Sequence, residues 1–152
     1  MSIEQRLKDL GIALPAPRPP AFGYVPVVVE GGLAWVSGQL PWDGDGLMAK
    51  GRLGEGVDIE TGRAVARCCL LNGLSVLREA LGSLDRVKRV VKVVGFVSSA
   101  SGFYEQPAVV DGASRVIAEI FGDAGRHARS AVGVAALPRD VPVEIEFVTS
   151  VL

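Results

Sequence analysis

The stretch "VPVEIEFVTSVL", Val141 to Leu152, limits the possible architectures more than any other part of the chain. Side chains alternate across a strand, so Val143, Ile145, Phe147, Thr149 and Val151 share one face while Glu144, Glu146, Val148 and Ser150 share the other. The first face suits a layer of helices, which makes this strand part of a two-layer α+β arrangement. The second carries two carboxylates, which need water, a basic partner or a site.

Other segments supply the rest of those layers. "YVPVVVE" (24–30) and "LAWVSGQL" (33–40) are β-rich runs separated by Gly31 and Gly32, as a hairpin turn requires. "PWDGDGLMAKGRLGEG" carries five glycines and reads as a flexible loop able to border a cleft. Asp58 is placed to cap a long helix through "IETGRAVARCCLLNGLSVLREALGSL". Its apolar stripe is Val65, Cys68, Cys69, Leu71, Leu74, Leu77 and Leu81.

A strand, "VKRVVKVVGFVSS", follows. "YEQPAVVDGASRVIAEIF" predicts a second helix with Val109, Val116, Ile117, Ile120 and Phe121 on its apolar side and Pro107 in its first turn. Gly122 to Gly125 break it. "ARSAVGVAAL", a turn at "PRD" and the last strand complete the order ββαβαββ, with two helices on one face of a mixed sheet. Residues 1–20 stand apart as a leader: Ile3, Leu7 and Leu10 recur at helical spacing, Gly11 stops the helix, and four prolines between Pro15 and Pro20 make an extended connector. The body, 21–152, reads as one domain.

Arg129 opens the small, apolar strand before the last one, and a guanidinium entering a packed interior needs a partner. If the two final strands form a hairpin, Arg129, Glu144 and Glu146 lie on one small sheet. Two readings follow. The trio forms a solvated or subunit-bridging ion-pair network of little energetic consequence, or Arg129 walls a pocket and grips a carboxylate ligand through its planar fork. Ala131, Gly133 and Ala135 share its strand face and are small, which leaves room for a ligand.

Composition narrows the function classes. With 49% hydrophobic and 22% charged residues, the chain has the makings of a packed globular protein. A net charge of -1 and scattered basic residues argue against nucleic-acid binding. The charged start "MSIEQRLKDLGI" lacks the apolar region of a secretory signal, and no apolar run is long enough to span a membrane, so the cytoplasm is the expected location. Cys68 and Cys69 are adjacent on a helical packing stripe, which favours core roles over a disulfide, a zinc site or a nucleophile. His127, the one histidine, sits in the break before Arg129's strand, which favours a structural role over a Ser/His/Asp triad. Trp35 and Trp42 read as packing residues, and the glycine-rich loop matches neither a Walker A nor a dinucleotide fingerprint.

Three stretches resemble the YjgF/YER057c/UK114, or Rid, family of reactive-intermediate deaminases: "YVPVVVEGGLAWVSGQLP", "ARCCLLNGLSVLREALGSLDRVKRVVKVVGFV" and "ARSAVGVAALPRDVPVEIEF". The last is the most specific, an arginine before a small-residue strand, a Leu-Pro turn and a Glu-Ile-Glu strand. The resemblance implies a chorismate-mutase-like fold without mutase activity and a homotrimer whose sheets form a central barrel, with clefts between subunits. It implies that Arg129 binds a substrate carboxylate and that Glu144 positions a water. Ser37, Gly38, Tyr24 and Ala131 would line the cleft, Ala131 standing where well-studied members often have cysteine.

The implied chemistry is hydrolysis of a small enamine or imine to a 2-oxo acid and ammonia, with no metal or cofactor. The segment "SSASGFYEQPAVVDGAS" is longer than in a typical deaminase, and the cleft asparagine found there has no evident counterpart. Together with the leader, it resembles a distinct branch of the family. A non-catalytic trimer that binds 2-oxo acids and, less favoured, an endoribonuclease are the alternatives.

Overall fold

A computed structural model describes all 152 residues. The closing strand, β9 (Val143–Val151), is the middle strand of a five-stranded sheet. Across that sheet the order is β1 (Val27–Glu30), β2 (Leu33–Gln39), β9, β7 (Val87–Ser98) and β8 (Ala128–Val134). The alternation read from the sequence holds. Val143, Ile145, Phe147 and Thr149 are buried, whereas Glu144, Glu146, Val148 and Ser150 are half-buried. Both long helices, α2 (Ile59–Leu81) and α3 (Gln106–Phe121), cover the apolar face.

Local chemistry sets their ends. Asp58 accepts from the Thr61 N–H at 2.8 Å at the start of α2, and Gly82 closes that helix in the left-handed conformation. Pro107 lies in the first turn of α3, where its missing N–H costs no helical hydrogen bond. No helix is long and apolar enough to cross a membrane.

The final two strands do not form a hairpin. β7 lies between them, parallel to β8 and antiparallel to β9. The reason is α3: a helix joining two strands over one face returns the chain parallel to where it left. The Pro138–Asp140 turn then carries the chain past β7 to its other side.

The glycine-rich loop is also more ordered than expected. It forms two short ladders, β3 (Trp42–Asp43) with β4 (Gly46–Leu47), and β5 (Arg52–Leu53) with β6 (Gly56–Val57). It is pinned where the Trp42 carbonyl accepts from Asn72 Nδ2 at 3.0 Å, the Gly51 N–H donates to the Asp140 carbonyl at 2.8 Å, and Leu53 enters the core.

Trp35 is not a core residue. Ala34 and Val36 take the helical face of β2, so Trp35 projects from the other and is 52% exposed. Trp42 has two guanidinium groups over its ring, Arg18 at 3.7 Å from the centroid and Arg139 at 5.2 Å. Cys69 is buried and Cys68 half-buried, and each thiol lies against a backbone carbonyl.

The leader is stitched to the body. In α1 (Ile3–Asp9), Leu7 is buried, and the Ile3 and Glu4 N–H groups donate to the Asp85 carboxylate. Arg6 donates to the Glu119 carbonyl at 2.9 Å, and Ser75 donates to the Pro15 carbonyl.

α2 and α3 make close backbone contact at Gly112, where a Cβ would lie 2.6 Å from the Arg63 carbonyl carbon. Gly112→Ala is expected to lower the unfolding free energy by roughly 2 kcal/mol through overpacking, despite alanine's advantage of about 1 kcal/mol in a helix interior. Urea denaturation at fixed protein concentration checks this, and an unchanged or raised midpoint would refute the close contact.

Candidate functional site

A bulge in β2 brings the first group of candidate residues together. Val36 faces Phe147 and Gln39 faces Ile145, so Ser37 and Gly38 share the space opposite one residue of β9. The Ser37 hydroxyl donates to the Val25 carbonyl at 3.0 Å and its N–H to the Pro26 carbonyl at 2.9 Å. Those two bonds tie the segment after the exposed Tyr24 to the bulge.

Gly38 leaves space for Glu144: a Cβ there would lie 2.8 Å from the Glu144 carboxyl carbon. Burial raises the Glu144 carboxyl above its ordinary value, and the neighbouring charge of Glu146 adds to the effect. Neither glutamate forms a salt bridge within the chain. Around them, the sheet face opposite the helices holds a hollow of about 310 Å³ lined by Val28, Trp35, Ser37, Lys92, Val94 and Glu146.

Arg129 is on the other side of the sheet. It sits opposite Val93, which faces Phe147 in turn, and all three share the helical face. Its Nη1 donates to Asp111 Oδ1 at 2.9 Å and to the Ser114 hydroxyl at 3.2 Å, while Nη2 donates to the Pro107 carbonyl at 3.3 Å. Of the five guanidinium N–H donors, these bonds engage three. Its side chain keeps 23% of its exposure, and β8 is an edge strand.

Ala131 shares that face, opposite Gly95. Ser37, Gly38 and Glu144 therefore meet where β2 adjoins β9, with Tyr24 in the segment that leads into β1, while Arg129 and Ala131 lie across β7 and on the reverse face. The ion-pair trio is not formed within the chain. Arg129's partner is Asp111.

Reading the sequence missed Asp111 and Ser114. Their spacing of three places both on one side of α3, and in "DGAS" that polar pair interrupts an apolar helix, which was the available signal. Ser114 also meets His127, whose Nε2 lies 2.9 Å from the serine hydroxyl and whose Nδ1 lies 2.6 Å from the Gly125 carbonyl. Burial raises both cysteine thiols above their ordinary value, which suits inert packing residues.

The model of the family described as "YjgF/chorismate_mutase-like, putative endoribonuclease" matches residues 4–145. Protein TCP17 of Trypanosoma cruzi is 48% identical over 145 residues, covering 95% of this chain and 91% of that protein. A crystal structure of a protein of unknown function from Agrobacterium tumefaciens has a TM-score of 0.91 at 42% identity, covering 99% of this chain and 92% of that one. TdcF of E. coli, solved with bound serine, has a TM-score of 0.64 at 25% identity and covers 89% of this chain and 92% of that one.

The raised carboxyl of Glu144 has a consequence for stability. A carboxyl whose folded value lies above its unfolded value holds its proton more tightly in the native state, so ionisation costs stability as pH rises through the folded value. Glu144→Gln removes that cost. The stability of the variant relative to wild type is expected to increase between the ordinary carboxylate value and neutral pH, measured by denaturant unfolding across that range. A difference independent of pH would show that Glu144 is not perturbed.

Proposed function

Because the chain belongs to the YjgF/chorismate mutase-like family, we propose that it hydrolyses small carboxylate-bearing imines to 2-oxo acids and ammonia. The observation that carries this reading is the state of Arg129. Asp111, Ser114 and the Pro107 carbonyl fix its guanidinium, yet two N–H groups remain for a ligand carboxylate. The serine bound to TdcF is a carboxylate-bearing small molecule of the kind such a fork accepts.

Arg129 and Glu144 face opposite sides of one sheet, which favours a cleft shared between subunits. The clamp of one subunit would meet the Glu144 and Gly38 wall of its neighbour in a homotrimer. The exposed apolar side chains Val28, Trp35 and Val132 on the open sheet face suit burial in that assembly. The cytoplasm is its proposed location.

The chemistry needs few parts. Arg129 holds the carboxylate so that the adjacent imine carbon is presented to a water. Glu144 takes a proton from that water as its oxygen adds to the carbon, then returns a proton to the nitrogen. Glu144 then carries the hydroxyl proton to the nitrogen as the carbon–nitrogen bond breaks, so that ammonia leaves and the carbonyl of the 2-oxo acid forms. A carboxyl raised above its ordinary value by burial suits both directions of this transfer. Gly38 leaves the room this carboxyl occupies.

The test follows 2-oxo acid formation from freshly generated 2-aminoacrylate, with uncatalysed decay subtracted. Arg129→Ala is expected to reduce kcat/KM about 100-fold, and Glu144→Gln to lower kcat by a similar factor with KM little changed. Equal rates in wild type and Arg129→Ala would eliminate the clamp. Saturable 2-oxo acid binding without rate acceleration would instead identify a binding protein. Sedimentation of wild type as a single subunit would exclude the shared cleft.

A further inference from the structure

Ser114 enters the reading above only as an acceptor for Arg129, and His127 does not enter it. For a neutral imidazole, one tautomer satisfies both ring contacts. The Gly125 carbonyl can only accept, so the 2.6 Å contact requires the proton of the neutral imidazole on Nδ1. Nε2 then carries a lone pair and accepts the Ser114 O–H at 2.9 Å. A serine is thus hydrogen-bonded to a base whose far nitrogen is oriented by a third group, the arrangement that activates a hydroxyl nucleophile.

The surroundings fix this pair. Gly125 is buried, and a Cβ there would lie 2.8 Å from the Ile117 carbonyl oxygen, so close packing on α3 holds the carbonyl that orients the ring. Ser114 projects from α3 and also accepts from Arg129 Nη1 at 3.2 Å. A guanidinium donor at that distance stabilises negative charge developing on or beside the serine oxygen. Ser114 and His127 are both partly exposed.

We propose that Ser114 and His127 form a nucleophile–base pair that accepts acyl groups from small activated esters. Ser114 Oγ bonds to the acyl carbon as its proton passes to His127 Nε2. The carbon–oxygen bond to the leaving alcohol breaks, and the alcohol takes the proton from Nε2. Water then adds to the acyl-serine, giving a proton to Nε2. The bond to Oγ breaks as Oγ recovers that proton, releasing the acid. Arg129 supplies the donor nearest the tetrahedral oxygen, while the Gly125 carbonyl takes the orienting role that a carboxylate has in a triad.

This activity requires neither imine hydrolysis nor a shared cleft. Its test uses p-nitrophenyl acetate with the full-length protein and follows nitrophenolate release. Fragment mass spectrometry locates the acetyl group after a rapid quench. Wild type is expected to acquire acetyl on Ser114, and Ser114→Ala and His127→Gln each to slow release about 100-fold, the scale of general-base assistance.

Ser114→Cys, nearly isosteric, is expected to become acetylated at the same position, which guards against loss of fold in the alanine variant. Acetyl found only on lysines or the N-terminus would overturn the proposal. So would release at the wild-type rate in a folded Ser114→Ala. The 2-aminoacrylate assay on wild type tests the deamination reading separately, so either activity can fail alone.

Discussion

The architecture depends on one strand having two incompatible faces and sitting in the middle of the sheet. β9 presents Val143, Ile145, Phe147 and Thr149 to α2 and α3, and the same backbone holds Glu144 and Glu146 on the far side. A one-residue register slip would bury both carboxylates under the helices and expose the core residues. The hydrophobic effect that fixes the fold therefore also fixes where Glu144 can be. Position and chemistry have one cause.

Close approach is the second recurring constraint. Gly95 receives Val110, Gly73 receives Phe147 and Gly38 receives Glu144, each at a place where a Cβ would collide with the incoming side chain. The first two let helix and sheet approach within side-chain depth. The third uses the same device for a polar group, and it coincides with the bulge that turns Ser37 aside. Packing and site geometry are thus built from the same residue type.

Much of this was legible because local rules operate within one element. The alternation of β9, the Asp58 cap, Pro107 in the first turn of α3 and the grouping of Arg129 with Ala131 and Gly133 all follow from spacing along a single segment. Strand neighbours do not. That β7 separates β8 from β9 is a property of the crossover through α3, and the hairpin expectation failed there. The same failure hid the face to which Arg129 points, because that face is set by its register against Val93. Asp111 and His127 were obscured for a related reason: the first is recognised only when β8 is laid beneath α3, and the second only when Ser114 approaches it.

The location of Arg129 constrains any account of this molecule. A guanidinium at the sheet–helix boundary must be offset, and Asp111 at 2.9 Å does so while remaining partly exposed itself. The pair is therefore neither a free surface charge nor a sealed core bridge. It has an accessible edge, fixed orientation and unused donors, which are the properties of a preorganised anion receptor. Glu144 has the complementary character, a half-buried acid without a cation beside it. The sheet keeps them apart, so attraction between them cannot consume either group within one subunit. Separation on opposite faces leaves each without the other as a partner, and under the proposed function a neighbouring copy would be the simplest means of bringing both to one substrate.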